Sequence, residues 1–143
     1  PTKQRVFMNL IEELIAEHKQ IVEMLKQVKA IGVINDESRK ILIVAKKNLL
    51  THLKNEDMKF YPCMHKAAEH NRDLKILLDI FARDMDSTSD DIMSFYDIHF
   101  GPDADKYKDF FAMEFGAFST RLFMRIKYEE IRLYPEYFNI KHT

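Results

Sequence analysis

The sequence predicts an all-α chain folded as an antiparallel, up-down-up-down four-helix bundle. Three observations predict it. Among 143 residues there are 3 Gly and 4 Pro, too little turn chemistry to serve many short strands. Apolar residues recur at intervals of three and four through four long segments. The strongest turn signals, at residues 32–36 and 101–103, fall between those segments.

The first helix is expected from Gln4 to Ile31. Its inner seam reads Phe7, Ile11, Leu14, His18, Ile21, Leu25 and Val28, steps of four and three in strict alternation. Gly32 ends it, and Asn35-Asp36 make a turn. The second is expected from Glu37 to Ala68, with Leu42, Ala45, Leu49, His52, Glu56 and Phe60 inward. Pro62 lies inside this segment and lacks a backbone donor, which predicts a kink or break there. The third runs from Arg72 to His99, with Leu74, Leu77, Leu78, Phe81, Met85, Thr88, Ile92 and Phe95 inward. The fourth runs from Asp105 to Phe138, with Phe111, Phe115, Phe118, Leu122, Arg125, Glu129 and Leu133 inward; Pro135 is expected to end or bend it. Short links make neighbouring helices antiparallel and place residues 1–143 in a single domain.

Bulk properties exclude several classes of function. There are 22 basic and 23 acidic residues, a net charge of −1, so no cationic surplus exists to neutralise phosphates. No apolar run approaches the ~20 residues of a bilayer span. The lone Cys63 leaves no internal disulfide framework. A soluble, cytoplasmic protein with no nucleic-acid or membrane partner is expected. No Gly-rich phosphate loop, nucleophile arrangement or cofactor motif suggests an enzyme.

The informative residues are polar ones in the apolar seams. His18, His52, Glu56, Arg125 and Glu129 all take core-facing positions, where an uncompensated polar group costs several kcal/mol. Each lies near the middle of its helix, so an antiparallel bundle brings the five to one level. His52 and Glu56 are four apart, as are Arg125 and Glu129, and such pairs stack on one helical face. Imidazole with carboxylate is ligand chemistry for iron, zinc or manganese. The stretch from His52 to Pro62 is echoed from Arg125 to Pro135, with Lys, Glu, Tyr and Pro at equivalent places.

This pattern resembles the hemerythrin-like (HHE cation-binding) family over nearly the whole chain. The resemblance rests on Glu17-His18-Lys19, Thr51-His52-Leu53 with Glu56-Asp57, and Glu129-Glu130 with Leu133-Tyr134-Pro135. It implies that His18 and His52 are terminal ligands of one metal and that Glu56 and Glu129 are the carboxylates that bridge two. The terminal ligands of the second metal are missing: Arg125 stands at the helix-four histidine position, and no His lies between His70 and His99. The expectation is therefore one iron or zinc ion, or none, in a sensory or regulatory module that does not carry dioxygen. Arg125 is expected to replace the second metal and pair with Glu56 and Glu129.

The remaining candidates have plainer readings. Glu130, next to Glu129, is expected to be a solvated charge. His65, His70 and His99 are expected at the surface, His142 in a tail, and Cys63 buried or partly so. Met85 reads as core filler. The run Phe110, Phe111, Phe115, Phe118 and Phe123 is core first, and rings in excess of one face point to a homodimer or another protein partner. Ile92–Asp97 together with Tyr107–Tyr134 also resembles the sigma-factor-binding regulator-of-sigma-D family, which implies a metal-free interaction protein. A histidine phosphotransfer role for His52 is disfavoured, because that chemistry needs an exposed His and His52 shares its seam with Ala45, Leu49 and Glu56.

Overall fold

Local signals set the helix ends. In the computed structural model, backbone is described for residues 2–142 and side chains for residues 10–140; Phe7 and His142 fall outside the latter. Helix α1 spans Thr2–Ile31 and stops where Gly32 takes φ +76°, a conformation that side chains with a Cβ rarely adopt. Helix α2 spans Asp36–Asn55. Asn35 caps it by accepting from the Ser38 amide at 2.9 Å, while Ser38 Oγ accepts from the Asn35 amide at 2.8 Å. Helix α4 spans Arg72–Phe100, capped by Asn71 accepting from the Leu74 amide.

The two proline-containing segments depart from the expectation in the same way. The second segment passes from α2 through a π turn, Glu56–Phe60, into α3, Tyr61–Ala68. The fourth begins as a short helix α5, Ala104–Tyr107, and a 3₁₀ turn, Lys108–Phe110. It continues as α6, Phe111–Tyr128, then a π turn, Glu129–Leu133, then α7, Tyr134–His142. Pro135 thus does not end the helix. Proline supplies no amide and crowds the carbonyl four residues back, and one wide turn just ahead of it relieves both problems. The Tyr61 amide then bonds the Glu56 carbonyl, and the Tyr134 amide bonds the Glu129 carbonyl. The echo in the sequence is an echo in backbone geometry.

The architecture is a four-helix all-α bundle, with no strand among the described residues. Along α1, cross-helix contacts pair 17 with 55, 18 with 52 and 24 with 48, so numbers rise on one helix as they fall on α2. Likewise 84 pairs with 125, 91 with 121 and 99 with 114 between α4 and α6.

The core is not continuous. One apolar cluster holds Ile21, Leu25, Val28, Leu42, Leu49, Ile92, Phe95 and the inner face of α6. The other holds Leu10, Leu14, Phe60, Met64, Leu74, Leu78, Phe81, Leu133 and Tyr134. Each fully buried aliphatic or Phe side chain in them contributes roughly 1.5–3 kcal/mol. Between the two clusters lies the level of His18, His52, Glu56, Arg125 and Glu129. The polar layer cuts the hydrophobic core in half, which is where tight polar satisfaction matters most. No helix among the described residues is long and apolar enough to cross a membrane.

Candidate metal centre

All five predicted site residues are buried and meet in that layer. His18 is 1% exposed, His52 2%, Glu56 0%, Arg125 4% and Glu129 2%. His18 comes from α1 and His52 from the last turn of α2. Glu56 and Glu129 each open a π turn, which keeps a carboxylate facing inward just before the chain adjusts to its proline.

Two rings meet at their Nε2 atoms, 2.9 Å apart. The other nitrogen of each ring is tied to a carboxylate nearer the rim. His18 Nδ1 donates to Glu130 Oε2 at 2.8 Å, and His52 Nδ1 donates to Glu17 Oε1 at 2.7 Å. Ionised carboxylates only accept, so each ring carries a proton on Nδ1 and both Nε2 atoms point inward; without a metal a proton on one Nε2 bridges the pair, and toward a metal both would offer lone pairs. Two carboxylate oxygens join them. Glu129 Oε1 is 3.1 Å from His18 Nε2 and 3.9 Å from His52 Nε2. Glu56 Oε1 is 3.2 Å from His52 Nε2 and has no hydrogen-bond partner. His18, His52 and Glu129 offer ligand atoms that all lie within 4.8 Å of one another.

Electrostatics express the same crowding. Burial opposes a charged His52 ring, but the carboxylates of Glu129 and Glu56 beside it outweigh that and raise the ring to about 10. Burial also opposes ionisation of Glu129, yet hydrogen bonds from His18 and His52 and the charge of Arg125 prevail and hold it at about 2. Glu56 is pushed up to about 7, mainly by burial, with Glu129 adding repulsion and His52 only partly offsetting it. Tyr134 donates to Glu56 Oε2 at 3.0 Å and stacks on His18 with centroids 5.6 Å apart; burial and the two carboxylates hold its phenol protonated.

Arg125 is placed differently from expectation. Its Nη1 donates to the Phe81 carbonyl and to Asp84 Oδ2, both at 2.9 Å, and its guanidinium lies over the Phe81 ring, 4.8 Å from the centroid. Its Nε stands 3.7 Å from Glu129 Oε2. No contact with Glu56 is made among the described residues. The arginine is drawn toward α4, where a carbonyl and a carboxylate offer in-plane acceptors.

Two other expectations are corrected. Glu130 is not merely a solvated charge but orients His18. His99 is buried, 1% exposed, with Nε2 3.1 Å from Glu114 and its ring against Phe95 and Phe111. Its burial follows from α4 running to Phe100, under the start of α6. Glu17, Asp84 and Tyr134 were missed as site residues, although the Glu17-His18 and Glu129-Glu130 doublets are a legible signal for ligands with adjacent carboxylates. His65 and His70 are exposed and Cys63 is half-buried, as expected.

Compared with protein-family models, curated proteins and solved structures, the chain gives no match.

Proposed function

We propose that this chain is a hemerythrin-like domain that keeps one metal position and has lost the other. In this reading it holds a single divalent ion, iron or zinc, through His18, His52, Glu56 and Glu129, and serves as a sensory or regulatory module. One observation carries it: ligand atoms of His18, His52 and Glu129 lie within 4.8 Å of one another at a buried point, Glu56 Oε1 stands 3.2 Å from His52 Nε2, and both Nε2 atoms are aimed inward by carboxylates on the opposite ring nitrogens. A carboxylate–histidine pair of this kind orients metal ligands and raises their basicity. Two carboxylates packed this closely against the rings call for positive charge among them, and without a metal the proton on His52 supplies it. A bound ion would supply that charge as a Lewis acid. On the far side Arg125 already supplies one, which leaves no second metal position and no basis for a dioxygen carrier.

The test is elemental analysis of protein purified without chelator, supplied with iron(II) or zinc. One ion per chain is the expected stoichiometry; zero or two would sink the reading. The supporting carboxylates give an independent check. Glu17→Gln and Glu130→Gln are each expected to weaken metal binding by roughly 10–100-fold, because each removes the charge that sharpens one imidazole. Competition titration against a coloured chelator reads the change, and unchanged affinity in both variants would contradict the proposed role.

A further inference from the structure

Two neighbouring helices carry opposite charges on one side of the bundle. α2 and α4 are held together by Arg39 donating to the His99 carbonyl at 3.3 Å and Tyr96 donating to the Leu42 carbonyl at 2.6 Å. Residue 39 therefore stands level with 99, and 42 with 96. On α2, Ile43, Lys47, Leu50 and Lys54 follow steps of four, three and four along one outward stripe. Ile43 is 58% exposed and Leu50 51%. On α4, Asp86, Asp90, Met93 and Asp97 follow the same steps, with Met93 49% exposed. Both stripes border the cleft between the two helices, which Ile43, Lys46, Tyr96 and Asp97 line.

A few exposed charges pair within the chain, as Lys59 does with Glu13 and Arg121 with Asp91. Among the described residues Lys47, Lys54, Asp86 and Asp90 form no ion pair. Unpaired charges of opposite sign, set around exposed aliphatic side chains, are complementary to each other.

We propose that this face is the interface of a homodimer in which α2 of each copy packs on α4 of the other. Charge selects the symmetry. A two-fold axis perpendicular to the helices would lay lysine on lysine and aspartate on aspartate. A two-fold axis parallel to the helices lays the basic stripe on the acidic one, twice, in a closed and self-complementary contact. That axis leaves heights unchanged, so the levels within one chain are also the levels between chains. Lys47 then meets Asp90 and Lys54 meets Asp86 of the other copy, each within about 3 Å along the axis. Ile43 meets Met93 beyond the Lys47–Asp90 pair, and Leu50 lies between the two charge pairs.

Sedimentation equilibrium tests the pairing. At low salt the expected mass is twice the 17.1 kDa of one chain, falling toward one chain at about 1 M salt, where the screening length is ~3 Å. The double variants Lys47→Glu/Lys54→Glu and Asp86→Lys/Asp90→Lys are each expected to dissociate at least tenfold more readily, with unchanged helical circular dichroism. Mixing the two in equal amounts restores the dimer, because each reversed stripe then faces its opposite. The proposal is overturned if the wild type is monomeric at its highest soluble concentration. A mass above two chains, or a mixture that stays monomeric, also overturns it.

Discussion

Arg125→Met lowers the stability of the metal-free protein by about 3–5 kcal/mol, the range for stranding one member of a buried ion pair. Arg125 is 4% exposed, and Glu129, whose Oε2 faces its Nε at 3.7 Å, is 2% exposed. That oxygen has no hydrogen-bond partner among the described residues, so the guanidinium charge is what it has. Methionine is long enough to cover Phe81 and leaves little cavity, so the loss reports charge and not volume. The Phe81 carbonyl loses a second donor, a smaller effect. Asp84 contributes little, because its side chain is 58% exposed and water replaces the arginine there. The urea midpoint is expected to fall by roughly 1–3 M. A loss below about 1 kcal/mol would show that the histidines alone satisfy Glu129. The same variant removes a cation from beside the metal position, so added iron(II) or zinc should recover more stability in Arg125→Met than in the wild type.

His52→Ala reduces metal affinity by about a thousandfold, equivalent to roughly 4 kcal/mol. The ring supplies one of the inward Nε2 atoms, and it also lies within 3.9 Å of both carboxylates. Removing it costs a ligand and the group that draws Glu56 toward ionisation, so two of the proposed ligands weaken together. Glu17 loses its ring contact, though it keeps the Asn55 amide at 2.6 Å. His52→Gln, which retains bulk and a hydrogen-bonding tip, guards against a trivial folding failure. Isothermal titration with zinc measures both. Affinity within about tenfold of wild type in both variants would remove His52 from the ligand set, and with it the proposed centre.

Much of the helical layout was legible because its signal is local. A period of 3.6 requires only that one face be apolar, so the seams through Leu14, Leu49, Phe95 and Phe118 could be read without knowing what they touch. The same period chose Glu129 over Glu130 for the interior. It also exposed His18, His52, Glu56 and Arg125, since a polar residue in an apolar register stands out against its own helix. The prolines signalled irregularity but not its form. Whether Pro62 and Pro135 break, kink or widen the helix depends on how the following turn is held, and packing of Phe60, Tyr134 and Tyr137 keeps both helices going.

What escaped the sequence lies beside the seams. Glu17 and Glu130 occupy flanking positions, where a charge normally faces water, and their partners are 35 and 112 residues away. Asp84 sits on the exposed side of α4 and reaches Arg125 across 41 residues. His99 has the look of a frayed helix end until Phe111 and Glu114 cover it.

The sequence by itself determined four helices, their inward faces and the polar layer, because helical periodicity and the cost of burying polar groups act within a few residues. Only the tertiary structure decided which carboxylates orient the histidines, that Arg125 turns to Asp84 and not to Glu56, and that the basic side of α2 lies beside the acidic side of α4. Those outcomes depend on relative height and rotation of helices distant in the chain. Side-chain distances of about 3 Å decide them, a precision that spacing along one helix does not carry.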